Sequence, residues 1–229
     1  AERIYYPVSD NQEPLIYIGT DKEVKNPSVN IFFKHEATPD SLKNTISYYA
    51  SQYMLSMAMT MLNNRLNELR QTANPPFTNA SAGYGEFFLA KTKEAFSLDA
   101  RSKVDGIDLA MKTVLEEAER ARRFGFTATE YERARANYMQ GVESAYNERE
   151  KTKSGSYVNE YVNNFLDKEP IPGIEFEYML TKQMAPNIPV EAINKMMQQL
   201  ITDNNQVVLL AGPEKEGVKY PTKDEITAL

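Results

Sequence analysis

Residues Thr38 to Arg70 read TPDSLKNTISYYASQYMLSMAMTMLNNRLNELR, and the chain leaves them through QTANPPFTNASAGYGEF, residues 71–87. Leu42, Ile46, Tyr49, Tyr53, Met57, Met61, Leu62, Leu66 and Leu69 recur three or four apart, which predicts one long helix with a single apolar stripe. Thr38-Pro39-Asp40-Ser41 supplies capping oxygens, a proline tolerated in a first turn and an acid at the positive end of the helix dipole. Ala73-Asn74-Pro75-Pro76 ends the helix, because neither proline has an N–H to donate. A strand follows in which Thr78, Ala80, Ala82 and Tyr84 alternate with Asn79, Ser81, Gly83 and Gly85. Such small residues serve either close helix packing or a bulge, or else a backbone kept bare for a peptide or another domain.

Upstream, Leu15-Ile16-Tyr17-Ile18 reads as a buried strand, and residues 1–13 as polar and irregular. Ser28 to Glu36 reads as a second strand, with Val29, Ile31 and Phe33 on one face and Asn30, Phe32 and Lys34 on the other. Downstream, residues 77–88 and 89–101 form a strand pair and 104–124 a helix. Ile107, Met111, Val114, Leu115 and Ala118 line that helix's inner face, and Gly125 ends it. Its closing Arg120, Arg122 and Arg123 suit the negative end of the helix dipole better than a binding patch. Thr127-x-x-Glu130 is a capping box for a helix to about Lys151. Helices near 157–166 (Tyr161, Val162 and Phe165 inward), 174–183 and 190–202 follow, then the strand QVVLLA from Gln206 to Ala211. The order β-β-α-β-β-α-α-α-α-α-β predicts an α+β fold, a largely antiparallel sheet covered on one face by helices. Residues 1–213 are expected as a single domain and 214–229 as a polar linker or tail.

Composition narrows the chemistry further. The 229 residues suffice for a substantial core. A net charge of -6 without any basic block argues against nucleic acid. No apolar run approaches the roughly 20 residues of a membrane helix. AERIYYPVSD has neither the basic segment and apolar core of a secretion signal nor an initiator Met, so a processed chain or excised fragment is expected. Zero Cys removes thiol chemistry, and a lone histidine, His35, makes every two-histidine metal motif impossible. No Gly-x-Ser-x-Gly, GxGxxG or GxxxxGK[ST] sequence occurs. His35 is expected as a structural residue at a strand end, the methionines as core filling, and Glu143, Glu148 and Glu150 as a solvated helix face.

Taken in order, NPSVNIFFKH, a helix ending MLNNRLNELR, a small-residue strand and FGFTATEYERARANYMQGVESAYNEREKTKS resemble a non-catalytic domain of the insulinase/pitrilysin family of zinc metallopeptidases, from about residue 5 to 213. The Arg65-Leu66 … Leu69-Arg70 helix ending and the FGFT-x-x-E helix entry carry it most specifically. The resemblance implies the repeated domain of pitrilysin and mitochondrial processing peptidase, paired into halves that close around an unfolded peptide. It implies a catalytic domain elsewhere in the parent, whose His-x-x-Glu-His and downstream Glu hold zinc and an activated water. Here the corresponding helix reads YYASQYMLSMAMTML, so no metal ligand and no catalytic residue is expected in this chain. The family also uses an Arg and a Tyr seven residues apart to grip substrate near the zinc. Arg70 stands at the first position, but Phe77 stands at the second and lacks the phenolic donor. Arg70 and Phe77 are therefore carried as substrate-chamber candidates. The expected partners are the catalytic and other domains of the same polypeptide and a peptide substrate, and the expected compartment is periplasmic or exported. An apolar surface is expected where the catalytic domain docks. The alternative is a non-enzymatic scaffold or peptide-binding subunit on the same fold.

Overall fold

The computed structural model describes residues 4–88 and 90–229. Its contacts divide the chain into two compact units, Ala1–Ala37 with Met59–Gly125 and Met197–Leu229, and Thr38–Ala58 with Phe126–Met196.

The first unit is built on strands β1 (Leu15–Asp21), β2 (Ser28–Glu36), β3 (Asn79–Phe87), β4 (Ala90–Arg101) and β5 (Gln206–Pro213), in the order β1-β5-β2-β4-β3. Among the described residues only the β1–β5 pair is parallel. Registry places Val29, Ile31 and Phe33 of β2 opposite Ala100, Leu98 and Phe96 of β4, and beside Leu210 and Val208 of β5. These side chains form the buried face, against which helix α3 (Ile107–Phe124) packs through Ile107, Ala110, Met111, Val114, Ala118 and Ala121. The α+β reading and the largely antiparallel sheet agree with this arrangement. The expected strand break at residue 89 lies outside the described residues.

Two differences in this unit have clear causes. β1 is not buried: it is an edge strand, and Leu15 and Tyr17 on one of its faces are exposed. The last residues are not a loose linker, since Thr222 and Glu225 form a capping box for helix α8 (Lys223–Thr227), whose Ile226 is buried. The spacing argument also passes over Glu117. It is buried on α3 and pairs with Arg65 at 3.3 Å and Arg120 at 3.4 Å, because a charge reaches the interior only with a partner. Arg122 and Arg123 are engaged by Glu119, whose carboxyl the Arg122 hydrogen bonds hold below its usual range.

The second unit is helical: α1 (Asp40–Lys43), the start of α2 (Ile46–Arg70), α4 (Ala128–Asn147), α5 (Ser154–Asp167), α6 (Ile174–Met184) and most of α7 (Val190–Leu200). The predicted 38–70 helix is interrupted at Asn44-Thr45. The Thr45 hydroxyl donates to Leu42 O at 2.7 Å and accepts from Tyr48 N at 3.1 Å, capping a new helix rather than continuing the old one. Leu42 and Ile46, placed on the stripe by periodicity, are accordingly exposed, whereas Tyr53, Met57, Met61, Leu62 and Leu66 are buried. The α4 capping box is present as expected. Tyrosines hold this unit's interior together. Tyr131 Oη donates to Ile188 O at 2.9 Å, so its lone pair is left to accept from Tyr53 Oη at 3.0 Å. Tyr49 Oη lies 3.0 Å from Thr181 Oγ1, and the Tyr138 ring meets Tyr53 edge-on at 5.2 Å. Burial, then the nearness of Tyr49, pushes the Tyr138 hydroxyl up to about 12.

Two consequences can be measured by denaturant unfolding. Leu66→Ala, inside the stripe, is expected to cost about 2–5 kcal/mol, and Leu42→Ala less than about 0.5 kcal/mol. The unfolded chain releases the Tyr138 proton near 10 and the folded chain near 12. Between those values the unfolded state binds fewer protons, so stability falls as pH rises through this window. Tyr138→Phe is expected to flatten part of that fall.

Candidate functional site

Alternation along the strands sends the other half of the sheet's side chains away from α3. Across this second face, registry sets Tyr17, Leu209, Asn30, Asp99 and Ser81 in one row. Leu15, Val207, Phe32, Ser97 and Gly83 form the next row. Toward β3 the side chains are small and polar. Ser28, Asn30, Asn79, Ser81, Asp99 and Arg101 line a groove of about 410 Å³ there. Asn30 Nδ2 donates to Asp99 Oδ1, so this carboxylate is held as an acceptor in the floor of the groove.

The small-residue pattern of β3 therefore divides between two uses. Ala80 and Ala82 face the helices, while Ser81, Gly83 and Gly85 face the groove side. A Cβ on Gly85 would meet nothing within 4 Å, and one on Gly83 only the Ser97 hydroxyl at 3.3 Å. Close helix packing thus explains the alanines and not the glycines. A register shift between Glu86 and Phe87 adds a bulge at the strand's end. β3 is an edge strand, and α2 closes that edge at one point. Asn63 Nδ2 donates to Ala82 O at 2.9 Å, and Ala82 N donates to Asn63 Oδ1 at 2.8 Å. One side-chain amide here satisfies both peptide groups that an added strand would take.

The opposite end of the face is covered by the segment before β1. Val8, like Phe32, packs on the buried cluster of Phe87, Ala95 and Val207. Lys34 Nζ donates to Ser9 O at 2.6 Å and Lys93 Nζ to Asp10 Oδ1 at 2.7 Å, and Lys93 also bonds Glu36. Asn205 and Asn11 exchange backbone and side-chain bonds of 2.8 and 2.9 Å. Both lysine side chains are buried, and burial draws the Lys34 amine below its usual value. The described part of the segment is irregular, as expected, but fixed. Sequence reading missed the two lysines, although the position of Lys34 on the Asn30–Phe32 face was its one available signal.

Of the two substrate-chamber candidates, Arg70 is exposed at the end of α2, where Nη2 bonds Asn67 Oδ1 at 2.9 Å. Phe77 is buried in the core, so its ring supports the turn after α2 and offers no surface to a ligand. His35 Nε2 lies 3.0 Å from Leu200 O, a structural contact. Among the described residues no three His, Cys, Asp or Glu side chains converge as metal ligands, and no helix is long and apolar enough to cross a membrane.

No protein-family model matches the chain. A zinc protease PQQL-like protein of Arabidopsis thaliana is 27% identical over 209 residues, 91% of this chain and 18% of that protein. The first half of the periplasmic protease PqqL from Escherichia coli superimposes with a TM-score of 0.87 at 18% identity, over 100% of this chain and 48% of that one. A peptidase M16 inactive domain from Pseudomonas fluorescens gives a TM-score of 0.66 at 13% identity, over 97% of this chain and 48% of that one. The chain thus spans less than half of each of these proteins. It resembles insulinase-type (M16) peptidases and has the fold of their domains, an inactive domain among them.

Asn63→Ala strips both partners from Ala82 at the sheet edge. The expected loss is about 1–3 kcal/mol in denaturant unfolding. Hydrogen exchange at the Ala82 amide should accelerate, with less change at amides paired to β4.

Proposed function

We propose that this chain is a non-catalytic structural and substrate-enclosing domain of a zinc-dependent metalloendopeptidase that cleaves unfolded peptides. The observation that carries the reading is the bare, polar end of the sheet's second face. Ser81, Gly83 and Gly85 leave the β3 backbone uncovered beside a groove with a fixed acceptor, Asp99, and a cation, Arg101. An extended peptide offers N–H and C=O groups along its whole length and suits such a wall without any sequence requirement. The likeness to halves of larger peptidases supports the same reading.

The family's zinc does not fit the residues present here. Tyr48, Tyr49, Ser51, Gln52, Tyr53 and Ser56 occupy the start of α2, a set without the imidazoles and carboxylates that hold zinc. The metal is accordingly assigned to another domain of the parent, and this chain performs no bond cleavage. Its part is to exclude water and restrict the peptide's approach. Arg70, exposed at the end of α2, is retained as a substrate-side cation, and an exported, periplasmic location accompanies the reading, as for the Escherichia coli protein.

The test uses the parent polypeptide and an unfolded peptide substrate. Gly85→Val fits the strand and the empty space, so thermal unfolding should be unchanged, while kcat/KM for cleavage should fall about tenfold. Unchanged turnover, or stoichiometric zinc retained by this chain alone after dialysis, overturns the proposal. A parent with no peptidase activity that still binds the peptide would favour the scaffold alternative.

A further inference from the structure

Leu15-Ile16-Tyr17-Ile18 is apolar on both faces, the composition of a strand in a sheet's interior, yet β1 has a neighbour on one side only. All of Leu15–Asp21 pairs with β5 without a register shift, so the strand is regular to its end. Among the described residues, nothing bonds residues 15–20 from the outer side, and the N–H and C=O groups that point away from β5 have no protein partner. Residues 15–20 contain no proline, no charge and no bulge, the features that blunt an open edge. The far edge of the same sheet has two such devices, the Asn63 amide on Ala82 and the bulge at Phe87. Leu15 and Tyr17 stand exposed beside the open edge.

We propose that β1 pairs antiparallel with β1 of a second copy of this chain, about a two-fold axis at Tyr17, so that the two sheets run on as one. The strand's own sequence identifies the occupant. This register sets Tyr17 opposite Tyr17, Ile16 opposite Ile18 and Leu15 opposite Gly19 of the second copy. A Cβ on Gly19 would stand 2.7 Å from the Tyr17 ring, so the ring lies over Gly19 and offers the incoming Leu15 an apolar wall. A slip of one residue would turn every side chain to the wrong face. A slip of two sets Leu15 opposite the Asp21 carboxylate in one direction, and in the other Ile18 opposite Pro14, which has no N–H. Beyond the strand, Glu13 falls near Asp21 and Lys22 of the second copy, charges of both signs that add little. A lone peptide strand is the poorer occupant, since it becomes an open edge in its turn. A second copy leaves only the two β3 strands outermost, each held by its Asn63. This inference concerns the β1 edge and does not depend on the enclosing role of the β3 end.

Sedimentation velocity of the 229-residue chain over a concentration series should show a monomer–dimer equilibrium. Tyr17 is 64% exposed, so its substitution is compatible with folding. Tyr17→Lys or Tyr17→Glu sets like charges directly opposite each other, and each alone should weaken the dimer at least about tenfold. Tyr17→Phe keeps the aromatic pair and should dimerise within about twofold of the unchanged chain. An equimolar mixture of Tyr17→Lys and Tyr17→Glu should recover the dimer as a mixed pair, which lost apolar area alone would not restore. A chain that stays monomeric, a dimer that neither charged variant weakens, or a mixture that stays monomeric overturns the proposal. Capture of a labelled Leu15–Asp21 peptide by a chain that remains monomeric also overturns it, and makes the edge a peptide site instead.

Discussion

The sheet depends on where β5 enters it. The chain forms β1, β2, β3 and β4 within its first half, then runs through five helices before Gln206–Pro213 slots between β1 and β2. Without β5, the β2 edge would present Val29 and Ile31 with no Leu210 or Val208 beside them, and β1 would have no partner. Every hydrogen bond along β5 therefore closes a loop of more than a hundred residues, and the entropy of that closure has to be met by burial. Val207, Val208 and Leu210 supply it, Val208 and Leu210 on the face that α3 covers and Val207 on the other face in the cluster on which Val8 packs. The parallel β1–β5 pair follows from the same insertion: β5 must run antiparallel to β2, and the return from β1 to β2 already reverses direction.

Much of this was legible in the sequence. β2 begins and ends where the alternation of Val29, Ile31 and Phe33 implied, and Thr127-x-x-Glu130 opens a helix as its spacing required. Local rules fail where tertiary contacts choose between faces. Leu42, Ile46, Tyr161, Val162 and Phe165 all satisfy a helical period, yet periodicity states only that a stripe exists, not that anything covers it. The converse omission concerns Glu117, Lys34 and Lys93, whose burial local spacing does not signal because their partners, Arg65, Ser9 and Asp10, lie 25 to 83 residues away. The candidate face was half visible: the glycines and serines of β3 were conspicuous, but which side of the sheet they occupied needed the register with β4.

The two faces of the sheet embody different physics. The α3 face is a packed apolar layer, with Phe33 and Phe96 stacked at 5.9 Å and the aliphatic side chains of β5 beside them. The other face is divided lengthwise into an aromatic end under Val8 and a polar end around Asn30 and Asp99. Small side chains on the polar end leave the backbone accessible without exposing a large apolar area, which keeps the surface hydrated until something lies on it. Asn63 complements this arrangement from the edge, since it caps β3 at Ala82 and thereby limits indiscriminate strand addition.

Lys34 and Lys93 also define where the folded body begins in terms of sequence. A shortened chain starting at Glu13, two residues before the first strand, would keep all five strands and still be incomplete. It would lose Ser9 and Asp10 and leave two ammonium groups beneath the surface, one retaining only Glu36. Unpaired buried cations either lose their protons or draw in water, and both outcomes loosen the Phe32–Phe87 cluster beneath Val8. For anyone dissecting this polypeptide, the unit of folding is thus longer than its regular secondary structure, by the irregular residues that two lysines require.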